Sequence, residues 1–299
     1  MKTLLLTDPI PAGYFVKAIH AVDPEVDLVE YRADMSDAEV AGFEVALAWR
    51  FPPGVAGRLP NLKWVCSVAA GVEKLLVDDL APAARVSRIV DTEQADGIAQ
   101  FVVLMALRHA RGLPAYEALQ REHAWKRQPV GAVRSRVAVL GTGTMGGAVA
   151  RLLSAVGFEV QGWSRHSGGP LAALLAASDI VVCALPLTPQ TDSLFDAATL
   201  AQMKPGSYLI NIARGEHVVE ADLMAALQSG HLAGAALDVQ RREPLPADDA
   251  LWDVPGVTIT PHIAAQSSAA TIASQFLAGL RCVQRGEAPP QLVDRARGY

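Results

Sequence analysis

Charged residues are few in this sequence, and long apolar runs are missing from it. Lys, Arg, Asp and Glu together make up 19% of the 299 residues, and the net charge at pH 7 is −5. Such a chain gives no reason to expect nucleic acid or an anionic membrane surface as a partner. Apolar runs stay below the roughly 18 residues that a transmembrane helix needs, and the apolar start, Met1–Leu6, is too short for a signal peptide. We therefore expect a cytoplasmic protein without membrane or nucleic-acid partners.

Cysteine is also scarce. The three cysteines, Cys66, Cys183 and Cys282, are odd in number, far apart and set in apolar runs. This pattern predicts reduced thiols, and neither a disulfide framework nor a metal site. The length suggests about two domains.

One stretch, Arg136 to Gly169, has the pattern of a βαβ unit. A short apolar run precedes Gly141-Thr-Gly143-Thr-Met-Gly146, a helical pattern follows, and a second apolar strand ends at Trp163. The three glycines match GxGxxG, in which they allow the tight turn, the approach of a pyrophosphate and close helix packing. The first helical residues, Thr144 and Met145, present N–H groups to an anion. We predict a dinucleotide site here; the alternative is a tight turn that binds nothing.

The end of the second strand indicates which dinucleotide is bound. NAD sites commonly have an acidic residue about 20 residues after the glycines, whereas this chain has Ser164 and Arg165. A hydroxyl and a guanidinium would bind a 2′-phosphate, which a carboxylate would repel. We therefore predict NADPH, the alternative being that Arg165 is a solvated surface charge.

Strand and helix patterns alternate along the whole chain, which predicts an α/β fold. We expect a doubly wound parallel (Rossmann) cofactor domain at residues 92–267. It would be inserted into a smaller flavodoxin-like α/β substrate domain of residues 1–91, to which residues 268–299 return. A short helix is predicted at Glu73–Leu80. A second, Asp96–Gly112, is apolar nearly all round and suits a domain or subunit interface.

Two strand ends in the first 91 residues are candidate ligand-binding positions. Trp49 ends one predicted strand, and the next ends in a turn containing Ala70 and Gly71. Ligands of open α/β sheets bind beyond the carboxyl ends of strands, so the N–H groups of this turn could receive a carboxylate. A small-residue turn that only allows close packing is the alternative.

Three polar side chains stand just past three later strands: Arg214, Glu243 and His262. Carboxyl ends of parallel strands share one edge of the sheet, so we expect all three near the nicotinamide. Arg214 could clamp a carboxylate and polarise the adjacent ketone. His262 could give a proton to the ketone oxygen, and Glu243 would favour the imidazolium. Taken singly, each is better explained without catalysis, Arg214 and Glu243 as solvated loop charges and His262 as a satisfied strand-end histidine. All three after consecutive strands of a dinucleotide fold favour the catalytic interpretation.

These residues carry a resemblance to a known family. The stretches Asn211–Gly215, Leu237–Val239, Glu243-Pro244 and Thr260–His262 are similar to the signatures of D-2-hydroxyacid dehydrogenases. The resemblance implies that Arg214, Glu243 and His262 are catalytic, and that Trp49, Ala70, Gly71, Arg214 and His262 contact substrate. It also implies a set of further cofactor contacts: Leu185, Pro186, Thr191, Ala213 and, at the nicotinamide carboxamide, Asp238.

Further stretches resemble the bacterial glyoxylate/hydroxypyruvate reductase branch of that family, notably Trp163–Arg165 and the final Val293–Tyr299. The branch implies a cytoplasmic, NADPH-dependent homodimer. It would reduce small 2-ketoacids, glyoxylate to glycolate and hydroxypyruvate to D-glycerate. Ser67–Ala69 departs from the usual substrate turn. Two alternatives are a reductase of a larger 2-ketoacid, such as phenylpyruvate or a branched-chain acid, and a non-catalytic nicotinamide-sensing protein.

Overall fold

The computed structural model describes residues 1–127, 135–165 and 167–299. The chain divides into two compact units, one of Met1–Asp91 with Ser267–Tyr299 and one of Thr92–Gln266. Both have a parallel sheet with helices connecting the strands. The predicted α/β class with a Rossmann domain is therefore confirmed. In the described ranges, no helix is long and apolar enough to cross a membrane.

The N-terminal segment supplies the sheet of the first unit. Its elements are β1 (Thr3–Leu6), α1 (Ala12–His20), β2 (Leu28–Glu30), α2 (Asp37–Ala41), β3 (Val45–Ala48), β4 (Trp64–Ser67) and β5 (Arg85–Ser87). The strands pair in parallel in the order β2-β1-β3-β4-β5. Every residue of β1, β3 and β4 is buried, as continuous apolar runs in a two-sided parallel sheet require.

The predicted helix at Glu73–Leu80 is wrong. The segment forms consecutive turns, and its polar groups bind neighbouring loops. The carbonyl of Lys74 accepts a hydrogen bond from the N–H of Phe51, and the carboxylate of Asp79 accepts one from Gly57. These contacts with a loop distant in sequence replace the local bonds of a helix.

The second unit contains the larger sheet. Its elements are α3 (Thr92–Ala110), α4 (Leu113–Arg121), β6 (Arg136–Leu140), α5 (Thr144–Ala155), β7 (Glu159–Trp163), α6 (Leu171–Ala177), β8 (Ile180–Cys183), α7 (Ala197–Gln202), β9 (Ser207–Asn211), α8 (Glu220–Gln228), β10 (Leu232–Leu237) and β11 (Val257–Ile259). All pairings are parallel, in the order β11-β10-β9-β8-β6-β7. The chain changes direction across the sheet between β6 and β8, the position at which doubly wound sheets bind ligands.

Helix α3 begins at Thr92, so the predicted start at Asp96 is wrong. The helix packs against α5 and one face of the larger sheet through residues such as Ile98 and Val102. A side-chain amide of Gln94 donates to the carbonyl of Ala265, which fixes the additional first turn within the unit. Leu104 and Leu107 stay exposed on the same helix.

The C-terminal segment completes the first unit. Ser268 caps α9 (Ala269–Gln284) by accepting a hydrogen bond from the N–H of Thr271. Beyond α9, the N–H of Val293 donates to Val86 at 2.8 Å. The guanidinium of Arg295 then donates to four backbone carbonyls, those of Leu80, Ala81, Pro82 and Ala84.

Candidate active site

In the glycine turn after β6, the first and third glycines are closely packed, and the second has open space beside it. Gly141 has a φ of +99°, and a Cβ there would lie 2.4 Å from the carbonyl oxygen of Ala184. A Cβ at Gly146 would lie 1.8 Å from the carbonyl oxygen of Gly141. At Gly143, which caps α5, a Cβ would meet nothing within 4 Å. Packing therefore demands glycine at the first and third positions, and the second leaves room for a ligand at the start of α5.

A short hydroxyl-lined turn follows β7. Ser164 and Ser167 exchange backbone hydrogen bonds of 2.9 and 3.0 Å, and their hydroxyls lie 2.7 Å apart. Arg165 is exposed, and its Nη1 donates to Oε1 of Gln190 at 3.4 Å. The turn thus presents hydroxyls and a guanidinium, the groups that suit a phosphate. Sequence reasoning missed Ser167 and Gln190, because neither follows a strand end in a recognised motif.

The buried hydroxyl of Thr191 stabilises the loop after β8. Thr191 donates to the carbonyl of Pro186 at 2.8 Å and accepts from the N–H of Thr188 at 2.8 Å. Thr191 and Leu185 are buried, whereas Pro186 is half-buried. Cofactor contact by these residues stays a prediction; the hydroxyl of Thr191 clearly shapes the loop.

Glu243 and His262 form a close pair. Nδ1 of His262 lies 3.0 Å from Oε2 of Glu243, and each side chain is 35% exposed. The other carboxylate oxygen accepts from the N–H of Gln240 at 3.2 Å. The contact through Nδ1 leaves the Nε2 side of the ring for a reacting group. The expected proximity of these two residues is therefore present.

Arg214 lies beyond β9 and is half-buried. Its Nη1 donates to the carbonyl of Ala213 at 2.6 Å. The next residue, Gly215, packs directly on another loop, because a Cβ there would lie 1.9 Å from the carbonyl carbon of Gln240. The turn of Arg214 and the loop leading to Glu243 are therefore in backbone contact.

Asp238 holds the turn that carries His262. Its carboxylate accepts three hydrogen bonds, from the hydroxyl of Thr260 at 2.6 Å and from the N–H groups of Ile263 and Ala264 at 2.9 Å each. His262 has a φ of +56°, a conformation uncommon outside glycine, and its N–H donates to the carbonyl of Asp238 at 2.7 Å. The nicotinamide contact of Asp238 stays a prediction. Its three hydrogen bonds show that the carboxylate stabilises the turn of His262.

Two further side chains organise the Arg214 turn. Arg241 donates to the carbonyls of Val218 and Glu216 at 2.6 and 2.7 Å. His217 is fully buried, with Nδ1 3.0 Å from the carbonyl oxygen of Arg214. Sequence reasoning gave neither a role, because both act on backbone carbonyls that no motif reveals.

In the first unit, the predicted substrate turn is built on Ser67. This buried hydroxyl donates to the carbonyl of Gly71 and accepts from the N–H of Ala69, both at 3.0 Å. Ala70 and Gly71 are half-buried. The ammonium of Lys74 lies 5.1 Å from the ring centroid of Trp49, a cation–π contact. Ser67, a departure from the family pattern, thus shapes the turn.

The cysteines contribute no reactive group at these loops. Burial raises the pKa of Cys66 and of Cys183 to about 12, so both are neutral thiols near pH 7. Cys282 is half-buried on α9. Among the residues that the structure describes, no group of three or more His, Cys, Asp or Glu is arranged to hold a metal ion.

Comparison with known sequences identifies the family. Residues 103–264 match the model of the D-isomer specific 2-hydroxyacid dehydrogenase, NAD binding domain. Glyoxylate/hydroxypyruvate reductase A of Serratia proteamaculans is 35% identical over an alignment of 274 residues that covers 86% of this chain and 88% of that protein. The protein of the same name from Escherichia fergusonii is 33% identical, with full coverage of both chains.

Solved structures that resemble this chain come from the same family as its sequence relatives. A D-isomer specific 2-hydroxyacid dehydrogenase of Xanthobacter autotrophicus Py2, solved with NADPH and MES, is 38% identical with a TM-score of 0.89, covering 100% of this chain and 99% of that one. An NADPH-dependent glyoxylate/hydroxypyruvate reductase of Sinorhizobium meliloti, solved with NADP and sulfate, is 32% identical with a TM-score of 0.90 and the same coverage. The predicted class of cofactor, a nicotinamide dinucleotide, is confirmed by these findings. The chain is an oxidoreductase and belongs to the D-isomer specific 2-hydroxyacid dehydrogenase family.

Proposed function

We propose that this protein is an NADPH-dependent reductase of small 2-ketoacids that converts glyoxylate to glycolate and hydroxypyruvate to D-glycerate. The observation that carries the proposal is the His262–Glu243 pair, at 3.0 Å, next to a loop in backbone contact with the Arg214 turn. A proton donor and a carboxylate-binding guanidinium are what reduction of a 2-ketoacid needs. The names of the relatives above agree with this substrate class.

The roles of the three side chains follow from their charges. Arg214 binds the substrate carboxylate and draws electron density from the ketone. Nε2 of His262 gives its proton to the ketone oxygen, so that the C=O bond becomes C–OH while the carbon gains hydrogen. Glu243, on Nδ1, stabilises the imidazolium before this transfer and orients the ring. The bound dinucleotide supplies the hydride.

The residues around β6 and β7 fit NADPH. The open side at Gly143, with Thr144 and Met145 at the start of a 12-residue helix, suits a pyrophosphate. Ser164 and Arg165 suit the 2′-phosphate. The remaining proposed cofactor contacts come from loops beyond β8, β9 and β10: Leu185, Pro186, Thr191, Ala213 and Asp238.

We propose that residues 92–267 form the cofactor domain and that the other unit is the substrate domain. In the latter, the N–H groups of Ala70 and Gly71 would receive the substrate carboxylate, and Trp49 would contact the substrate. The support is the position of these residues just past the carboxyl ends of β3 and β4.

We further propose a cytoplasmic homodimer organised by α3, α4 and the segment through Trp125. Large apolar side chains are exposed along both helices, including Leu104, Leu107, Leu113 and Tyr116, and Trp125 is wholly exposed. Contiguous exposed apolar side chains are typical of an interaction surface. Sedimentation at micromolar concentration should give a dimer, and a monomer would contradict this part of the proposal.

The activity is tested by measuring NADPH oxidation with glyoxylate, hydroxypyruvate, phenylpyruvate and 2-ketoisocaproate. We expect the two small acids to have the highest kcat/KM. His262→Ala should lower kcat by roughly 10²–10⁴-fold, the usual contribution of a general acid, with unchanged NADPH affinity. His231→Ala, which removes a ring bound to the carbonyl of Leu200, is the matched control. Preference for phenylpyruvate would indicate the larger-substrate alternative, and NADPH binding without turnover would favour the sensing alternative.

A further inference from the structure

A buried histidine, His217, lies between two loops of the proposed active site. It belongs to the short 3₁₀ turn Gly215–His217 and is fully shielded from solvent. Nδ1 lies 3.0 Å from the carbonyl oxygen of Arg214, and Nε2 lies 3.4 Å from that of Pro186. Both ring nitrogens therefore face acceptors, one on the turn of the proposed substrate clamp and one on the proposed cofactor loop.

The protonation of the ring decides which contact is a hydrogen bond. A neutral imidazole has one N–H and can donate to only one of two carbonyls. Burial lowers the pKa of His217 and outweighs the carbonyls of Arg214 and Pro186, which raise it, so the ring is neutral near pH 7. The shorter distance marks Nδ1 as the nitrogen that holds the proton. The ring thus donates to the carbonyl of Arg214, and Nε2 has no proton to donate to the carbonyl of Pro186.

The carbonyl of Arg214 is held by a second side chain as well. Nδ2 of Asn211, a fully buried residue, donates to it at 2.8 Å, and Oδ1 of Asn211 accepts from the N–H of Ala213. These two buried side chains, together with the backbone N–H of His217 at 3.3 Å, fix the peptide that follows Arg214. The direction of the Arg214 side chain depends on that peptide, whereas the glycine turn after β6 makes no such contact with His217.

Resting on the proposed function, we propose that His217 is a positioning residue that holds Arg214 in the orientation that binds the substrate carboxylate. It acts through the backbone carbonyl of Arg214 and touches neither substrate nor cofactor. Removing its Nδ1–H should weaken ketoacid binding and leave NADPH binding intact.

Three substitutions separate this role from general packing. His217→Leu removes the donor and fills the space with an apolar side chain. His217→Asn has an amide donor where Nδ1 lies. His217→Gln has its amide farther out, where Nε2 lies. We expect KM for glyoxylate to rise about tenfold in His217→Leu and His217→Gln, the range that one hydrogen bond supports. His217→Asn should restore most of the affinity.

The measurements are KM and kcat for glyoxylate, Kd for NADPH by fluorescence titration, and Tm for each variant. His231→Asn is the control: the ring of His231 contacts the carbonyl of Leu200, and its replacement should change none of these quantities except Tm. Equal KM in the Asn and Leu variants, or a rise in NADPH Kd that matches the rise in KM, would overturn the role. An inactive wild type would instead refute the proposed function itself, and the inference with it.

Discussion

The substitution Asp238→Asn separates two roles for this buried carboxylate, support of the His262 turn and contact with the cofactor. Oδ1 accepts from the Thr260 hydroxyl and the N–H of Ile263, and Oδ2 accepts from the N–H of Ala264. Asparagine keeps one acceptor oxygen, so at best Ala264 loses its partner while the other two bonds lose their charge. Hydrogen bonds to charged groups contribute roughly 1.5–3 kcal/mol each and neutral ones about 1 kcal/mol. The residue is 1% exposed, so solvent does not compensate.

The loss of one charged hydrogen bond and the neutralisation of two others predict a fall of about 2.5–7 kcal/mol in the free energy of unfolding. Such a fall leaves the variant folded if the domain lies in the middle or upper part of the usual stability range of about 5–15 kcal/mol. The left-handed backbone of His262 should relax once the turn loosens, which displaces its ring from Glu243. A displacement of about 1 Å lowers rates by roughly 10²-fold. We therefore expect kcat to fall by about that factor, with a much smaller rise in Kd for NADPH because Asp238 is one of several proposed cofactor contacts.

Urea unfolding, steady-state kinetics and fluorescence titration of NADPH measure the three quantities. Asp196→Asn is a suitable control, because Asp196 caps α7 through the N–H of Thr199 and asparagine caps equally well. Weaker NADPH binding with an unchanged kcat at saturating cofactor would show that Asp238 acts on the nicotinamide, and the reasoning from the turn would be refuted.

Three further outcomes are expected. In Glu243→Gln, kcat should fall while Kd for NADPH stays the same, because the ring of His262 loses the carboxylate that orients it through Nδ1; an unchanged kcat would show that the pair does not act in the reaction. In Arg165→Ala, the preference for NADPH over NADH should fall by roughly ten- to a hundredfold, through NADPH alone; a constant ratio of the two kcat/KM values would exclude Arg165 from the phosphate site. Burial lowers the pKa of His217 below its ordinary value of 6.5 against the carbonyls of Arg214 and Pro186, which raise it; the charge of Arg214 lowers it and that of Glu216 raises it. The unfolded chain therefore binds a proton that the folded chain does not. The free energy of unfolding should therefore fall as the pH drops below 6.5, and it should fall less steeply in His217→Asn than in the wild type. Urea unfolding at several pH values measures this, and the same pH dependence in both proteins would contradict it.

The sequence predicts those parts of the site that depend on local pattern. The spacing of Gly141, Gly143 and Gly146 after an apolar run indicates both the turn and the helix start, because the positive φ of Gly141 and the close approach of Gly146 to the carbonyl of Gly141 are constraints within the turn itself. His262 and Glu243 could be expected to meet because consecutive parallel strands bring their carboxyl ends to one edge.

Contacts between segments far apart in sequence could not be predicted in this way. The turns at Glu73–Leu80 replace a helix because they bind Phe51 and Gly57. The tasks of Asp238 and His217 follow from hydrogen bonds to turns that only the folded chain brings near. Apolar periodicity carries no information about which backbone carbonyl a buried side chain will meet.

The proposed reaction requires a fixed distance between the proton donor, His262, and the carboxylate-binding Arg214. Backbone contacts between the loops that carry them keep this distance. A side chain at Gly215 would collide with Gln240, and Gln240 donates its N–H to Glu243, so the clamp and the partner of His262 share one packed junction. His262 is fixed separately, through Asp238 at the end of the neighbouring strand. Because groups that are aligned before substrate arrives need little reorganisation during the reaction, substitutions at this junction should lower kcat even though they leave the three catalytic candidates intact.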